Sequence, residues 1–112
     1  MLHELKLTQP YFDDVAKGDK SFEVRRFDRP FKVGDYLALN EYVDEEYTGR
    51  FMVAKIKYVF RMEKISGNYC IFGIVPCRLY AAPGIFDYSF ESKKLVSSYE
   101  VYGGEDDQNE TV

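Results

Sequence analysis

The chain has no tryptophan, only one histidine and only two cysteines among its 112 residues. One His and two Cys do not supply the four ligands of a structural zinc site, and a disulfide scaffold needs more cysteine than this. Cys70 and Cys77 stand seven positions apart. On one extended strand such a pair points to opposite faces and cannot bridge, so both read as reduced, buried thiols. No apolar run approaches the ~20 residues of a membrane span. The opening MLHELKLTQP carries no apolar signal core, and the expected location is cytoplasmic. A basic surplus is missing as well: 15 Lys and Arg stand against 19 Asp and Glu, for a net charge of −4. Tight non-specific binding to duplex DNA is not expected of such a chain. No membrane partner, cofactor or metal is expected.

What remains is ordinary in bulk and uneven in detail. The length allows one domain, and 46% hydrophobic residues can build a single core. The aromatic content is high, with 10 Tyr and 9 Phe. Tyrosine in such numbers suits a thin sheet protein whose rings pack inward while their hydroxyls reach water, and also a surface that stacks on bases. The acids are concentrated at the end, where residues 105–112 hold Glu105, Asp106, Asp107 and Glu110 and no base. Without these four the body of the chain is neutral. Within it, Lys17, Lys20, Arg25, Arg26, Arg29 and Lys32 face only Asp19, Glu23 and Asp28 over residues 17–32, a modest positive patch. Residues 1–102 read as the domain and 103–112 as a disordered acidic tail.

Hydrophobic periodicity gives a mostly β, α+β chain of five to six strands with one early short helix. HELKLT at 3–8 alternates as a strand. A helix follows over about 10–17, with Thr8 or Gln9 at its cap, Pro10 in its first position, Asp13 and Asp14 in its first turn and Gly18 as its terminator. Phe12, Val15 and Ala16 form its buried stripe. KSFEVRR at 20–26 is a second strand, with Phe22 and Val24 expected toward the core and Ser21, Glu23 and Arg25 on the other face. YLALNEYV at 36–43 is a third, with Leu37, Leu39 and Val43 on one side. DEEYTGR supplies a turn with Gly49 as its flexible residue. FMVAKIKYVF at 51–60 places Met52, Ala54, Ile56, Tyr58 and Phe60 on one face. YCIFGIV at 69–75 is apolar throughout, as a strand buried on both sides would be. Beyond Pro76 the pattern is ambiguous between strand and helix. Short strands of this kind must close on themselves or be covered to protect their edges, so a small barrel with a helix at one end is expected.

The segment Gly18-Asp19-Lys20-Ser21-Phe22-Glu23-Val24-Arg25 reads G-x-K-x-x-E-x-R where the helix ends and the second strand begins. It resembles the signature of ASCH domains, a branch of the PUA-like superfamily. HELKL, PYF, FDRPFKVGDYLALNEY and YTGR, in that order around it, resemble a small bacterial and phage branch of unassigned function. The resemblance covers about His3 to Tyr58. It implies a PUA-like pseudo-barrel with a cleft beside the helix, lined by Lys20, Glu23 and Arg25, that binds RNA. Some members of the family hydrolyse an acetyl amide on a modified cytidine.

The residue chemistry is compatible with such a cleft. Lys20 is a mobile point charge, and Arg25 is a planar fork that grips phosphate or stacks on a base. Glu23 can orient that fork or accept from a base amino group. Arg26 and Arg29 extend the positive strip along a phosphate backbone. Arg50 in YTGR serves either the turn or the cleft. His3 serves either a hydrogen bond at the strand start or, with Lys6, the cleft. Glu23 and Arg25 also fit a plain surface ion pair, and Asp28–Arg29 a local loop pair. The leading reading is therefore a binding module for RNA or a nucleotide-like ligand. The alternative is an amidohydrolase with Lys20 and Glu23 as catalytic candidates. Against it, the Thr nucleophile of the amide-cleaving relatives falls at Glu23, which cannot form an alkoxide. A third reading is a protein-interaction module built on the aromatic surface.

Overall fold

In the computed structural model of the chain, residues 1–81, 84–89, 91–92 and 94–97 are described. Seven strands and two short helices follow in the order β1 Leu2–Thr8, α1 Tyr11–Lys17, β2 Phe22–Arg26, β3 Tyr36–Val43, β4 Glu46–Arg61, α2 Glu63–Ser66, β5 Tyr69–Ala81, β6 Gly84–Ser89 and β7 Lys94–Ser97. The mostly β character is as expected. The count exceeds five to six because β6 and β7 form in the ambiguous stretch beyond Pro76. The tail at 103–112 lies outside the described residues.

All seven strands belong to one sheet, ordered β1-β3-β4-β5-β6-β7, with β2 also paired to β5. β1 runs parallel to β3, and the other pairs are antiparallel. β5 takes β4 along one edge. Its other edge is shared by β2 at residues 69–73 and β6 at residues 78–81. β1 and β2 are thus at opposite ends of the path β1-β3-β4-β5-β2. Even so, Arg25 Nη2 donates to the Lys6 carbonyl at 2.7 Å and Arg29 Nη1 to the Glu4 carbonyl at 3.4 Å. The sheet curls until its two ends face each other, and arginine side chains bridge the seam where a barrel would have ladder bonds.

The curl encloses one apolar cluster that includes Leu5, Leu7, Leu37, Leu39, Met52, Ile56 and Phe72. Helix α1 adds Phe12 and Val15, both fully buried. Burial of side chains this size is worth about 1.5–3 kcal/mol each. Pro10 stands just before the first helical residue rather than on it, and the Gln9–Pro10 peptide is cis. Gly18 ends the helix at φ 87, a conformation that a side chain would strain.

Two irregularities reset the strand faces. Asp44 and Glu45, not Gly49, make the β3–β4 turn, both at positive φ (50 and 64) as a tight two-residue hairpin requires. Gly49, at φ 92, lies inside β4 near the register shift between Asn40 and Tyr42. A second shift between Ile56 and Tyr58 reverses the alternation of β4, so Val59 packs on the core while Tyr58 and Phe60 face out. Val43 is exposed as well, and its expected inward position is taken further back by Glu41. β5 runs straight through Pro76, which sits at a further register shift where a missing N–H is tolerated. Its outer residues Ile71, Gly73 and Val75 are half-buried rather than sealed on both sides. Cys70 and Cys77 are free thiols, the first buried and the second half-buried, and burial pushes both above their ordinary range.

Candidate functional site

The second strand carries the main departure from the expected pattern. Glu23 is 3% exposed, whereas Phe22 and Val24 are 46% and 49% exposed. Apolar periodicity gives the correct period and the wrong phase. Glu23 pairs with Phe72, and Phe72 with Val59, so the carboxylate occupies an interior row of the sheet. An inward-pointing charge on an edge strand is tolerated only with partners, and Glu23 has two cations.

Lys20 Nζ binds Glu23 Oε2 and also donates to the Phe22 carbonyl at 2.7 Å. Arg25 Nε donates to Glu23 Oε1 at 3.1 Å, and its Nη2 lies 3.0 Å from the same oxygen. That Nη2 also donates to the Lys6 carbonyl across the seam. The placement of Lys20 begins in the helix. The Asp14 carbonyl accepts from the Asp19 and Lys20 N–H groups at 2.9 and 3.0 Å, which ties the G-D-K turn to the last turn of α1. Lys20 and Arg25 are mostly buried, with side-chain exposures of 18% and 23%.

These groups border a cleft of about 430 Å³ between the end of β1, the start of α1 and β2. Lys6, Thr8, Tyr11, Lys20, Glu23 and Arg25 contribute to its walls. Thr8 and Tyr11 were not expected there. Tyr11 announces itself only as an exposed aromatic on the first helical turn. A second hollow of about 290 Å³ continues along the seam past Lys6 and Arg25 to Arg26, Asp28 and Arg29. Lys6 and Arg25 line both hollows, Lys20 and Glu23 the first, and Arg26 and Arg29 the second. Three of these cations are only partly free: Arg26 lies over the Tyr69 ring at 5.2 Å, Arg29 pairs with Asp28 at 3.5 Å, and Lys6 Nζ lies 4.1 Å from the Tyr42 ring centre.

His3 and Arg50 lie elsewhere. His3 is buried against Phe31, and its Nε2–H donates to Asp35 Oδ2 at 2.8 Å. Asp35 also accepts from the Lys32 N–H and the chain's N-terminal amine, and these partners, His3 first, hold its carboxyl below the usual range. Arg50 binds the other buried glutamate. Its Nε and Nη2 donate to Glu41 Oε1 and Oε2, both at 2.9 Å. Thr48 Oγ1 donates to Oε1 at 2.7 Å, and Gln9 Nε2 to Oε2. Arg50 also meets Asp13 at 3.0 Å and lies over the Phe12 ring at 4.9 Å. The Arg50 hydrogen bonds pull the Glu41 carboxyl down to about 2 against the upward push of burial, and Thr48 and Gln9 add to the lowering. Glu41 shares the strand parity of Leu37 and Leu39, which is the sequence signal for this cluster. A carboxylate on a core face demands a cation, and the hairpin supplies Arg50.

Among the described residues no group of three or more His, Cys, Asp and Glu is placed to hold a metal ion. No helix among them is long and apolar enough to cross a membrane. The sequence is 46% identical over 70 residues to the "Uncharacterized 12.9 kDa protein in GpA 3'region" of Escherichia phage P2, a match spanning 62% of this chain and 64% of that relative's length. Residues 2–74, which include β1, α1, β2 and every wall residue named for the cleft, match a family that carries no functional assignment. The chain belongs to that family, described as Domain of unknown function (DUF3850).

Proposed function

We propose that the β1–β2 cleft holds RNA or a nucleotide, with Lys20 and Arg25 as its anion-binding groups and Glu23 as the group that orients them. The observation that carries this reading is the buried Glu23 carboxylate set between two cations on the wall of an open cleft. A buried ion pair is a poor source of stability in itself, and apolar residues in its place often serve the fold as well or better. Pre-set cations beside open volume are what an anionic ligand needs, because their positioning cost is met before binding. Arg25 turns its Nε–Nη2 edge to Glu23 and the Lys6 carbonyl, so its Nη1 group is what it offers a phosphate or a base edge, and Tyr11 adds a ring to the same cleft. The resemblance of the G-x-K-x-x-E-x-R segment to ASCH domains, and through them to PUA-like RNA-binding modules, points the same way, since that segment forms this wall.

The amidohydrolase alternative has less support. Both Glu23 oxygens already accept from cations, an arrangement better suited to holding donors than to removing a proton from water. Incubation with N4-acetylcytidine is expected to give no turnover above that of Glu23→Gln.

The binding test is titration at low salt with a 5′-nucleoside monophosphate and with a short RNA oligonucleotide. Wild-type protein is expected to bind. Lys20→Ala and Arg25→Ala are each expected to weaken binding about tenfold or more, the scale of one charge-assisted hydrogen bond, while the thermal unfolding transition stays cooperative. Absence of wild-type binding to both probes, or nucleotide binding unchanged in Lys20→Ala and Arg25→Ala, would falsify the reading.

A further inference from the structure

The inverted phase of β2 has a second consequence on the opposite side of the sheet. The residues displaced from the core, together with those expelled by the β4 bulge, meet on one outer face. The pairing register aligns Phe22, Gly73 and Tyr58 in one row and Val24, Ile71 and Phe60 in the next. Arg26 and Tyr69 pair at one end of the face, and Tyr36, Lys55 and Val75 align at the other. Tyr58 is 64% exposed, and Phe22, Tyr36, Phe60 and Tyr69 are all exposed too. Gly73 leaves a shallow saddle between Phe22 and Tyr58, because it places no side chain between the rings.

The charge in these rows has one sign. Arg26 and Lys55 lie in the rows themselves, and Lys57 stands exposed in the bulge. Lys20 Nζ reaches over the β2 edge to 5.0 Å from the Phe22 ring. No Asp or Glu occurs among the residues that the register places in these rows. A second copy of the chain laid face to face would oppose cation to cation, which disfavours self-association. Exposed rings interleaved with Lys and Arg match a polyanion with flat, stackable faces.

We propose that the outer face of β2, β5 and β4 is a stacking platform for the bases of single-stranded nucleic acid, with Phe22, Tyr58 and Phe60 as the rings and Arg26, Lys55 and Lys57 on the phosphates. The site is distinct from the β1–β2 cleft and does not depend on a ligand there. Lys20, at the edge of both, is the point where a strand crossing β2 passes from one to the other.

The test compares a fluorescein-labelled 20-nucleotide oligo(U) with inorganic tripolyphosphate, which has charge but no bases, and with uridine monophosphate. The wild type is expected to bind oligo(U), with quenching of tyrosine emission, the chain having no tryptophan to mask it. Tyr58→Ala/Phe60→Ala is expected to weaken oligo(U) binding by about tenfold or more, on the scale of one lost stacking contact. Tripolyphosphate and uridine monophosphate binding should be unchanged. Tyr58→Phe, which keeps the ring, should retain affinity. Oligo(U) affinity unchanged in the double variant, as for a face that docks protein instead, overturns the proposal. So does equal loss toward oligo(U) and tripolyphosphate, or no oligo(U) binding by the wild type. Loss of uridine monophosphate binding in Arg25→Ala reports on the cleft alone, so the two readings fail separately.

Discussion

Two glutamates of this protein are buried to a similar degree and each is held by an arginine, yet their surroundings differ in one decisive respect. Glu41 is fully partnered: Arg50 grips both oxygens, Thr48 and Gln9 occupy further lone pairs, and Arg50, though a third exposed, also meets Asp13 and lies over the Phe12 ring. The cluster joins the start of α1 to the β3–β4 hairpin and borders none of the cleft. Glu23 is held by Lys20 and Arg25, whose charges border open volume. The first sets one cation between two carboxylates, Glu41 and Asp13, and leaves no surplus positive charge for a guest. The second holds two cations in place with room left for a guest. What separates a structural ion pair from a binding site here is therefore whether cations outnumber carboxylates beside open volume, not how deeply the carboxylate is buried.

The largest effect expected from breaking this comparison is at Arg50. Arg50→Ala leaves the Glu41 carboxylate buried without its cation. Loss of one member of a buried pair costs about 3–5 kcal/mol, and the partial exposure of Arg50 trims this to roughly 2–3 kcal/mol. Urea denaturation should show that loss, while the β1–β2 cleft keeps its affinity for a nucleotide under conditions where the variant is folded. A fall in nucleotide affinity with no fall in stability would reverse the roles assigned to the two glutamates.

Acid should separate them next. The folded Glu41 carboxyl titrates at about 2 and the ordinary value is 4.5. Because the folded value is depressed, the stabilisation is complete above about pH 4.5 and is lost as pH falls toward 2. The span corresponds to something on the order of 3 kcal/mol. Asp35, lowered by His3, contributes in the same direction. Glu41→Gln should lower stability at neutral pH and flatten this acid limb, as followed by urea midpoints between pH 2 and 6. An acid limb as steep as that of the wild type would remove Glu41 as its source.

Glu23→Gln should have a smaller effect on stability, within about 1–2 kcal/mol, since the amide oxygen still accepts from one of the two cations and the other borders the open cleft. Its main effect should be on the ligand. With one negative charge gone from the cleft wall, tripolyphosphate should bind more tightly at low salt, and added salt should erase the gain. Weaker tripolyphosphate binding would mean that the orienting role of Glu23 outweighs its charge.

Much of the scaffold was legible in the sequence. β3 falls on its expected residues, α1 within one residue, and Gly18 ends that helix, because each rests on a strong local signal: alternation over eight residues, a helical apolar stripe, a left-handed glycine. Lys20, Glu23 and Arg25 were grouped only through the resemblance of the G-x-K-x-x-E-x-R segment to a known signature, since their spacing alone fits a surface ion pair. The phase of β2 was not, because a period of two fits either face and the apolar one is the default choice. Only the curl of the sheet, a long-range property, decides that Glu23 looks in. The reversal of β4 after Ile56 was hidden for a similar reason, since a bulge adds one residue without any marker such as glycine. Cleft and outer face are thus products of tertiary structure, whereas the Glu41 cluster had a readable sign in a carboxylate at core parity.

The smallest effect sharpens the comparison from the hairpin that carries Arg50. Asp44 and Glu45 form its turn with both residues at positive φ, a conformation that costs an L-residue with a side chain about 1–2 kcal/mol, less for Asp than for Glu. Asn-Gly is the pair that such a two-residue turn prefers. Asp44→Asn/Glu45→Gly should therefore relieve strain, offset in part by the greater freedom of glycine in the unfolded chain, for a net gain of about 0.5–1 kcal/mol. The gain should appear as a higher melting temperature that survives in Lys20→Ala but shrinks in Arg50→Ala, because the hairpin and the Glu41 cluster share a structural unit and the cleft does not. Equal gains in all three backgrounds would show that the turn and the Glu41 cluster are energetically separate, with the contacts of Arg50 and Thr48 to Glu41 joining β3 to β4 independently of the turn.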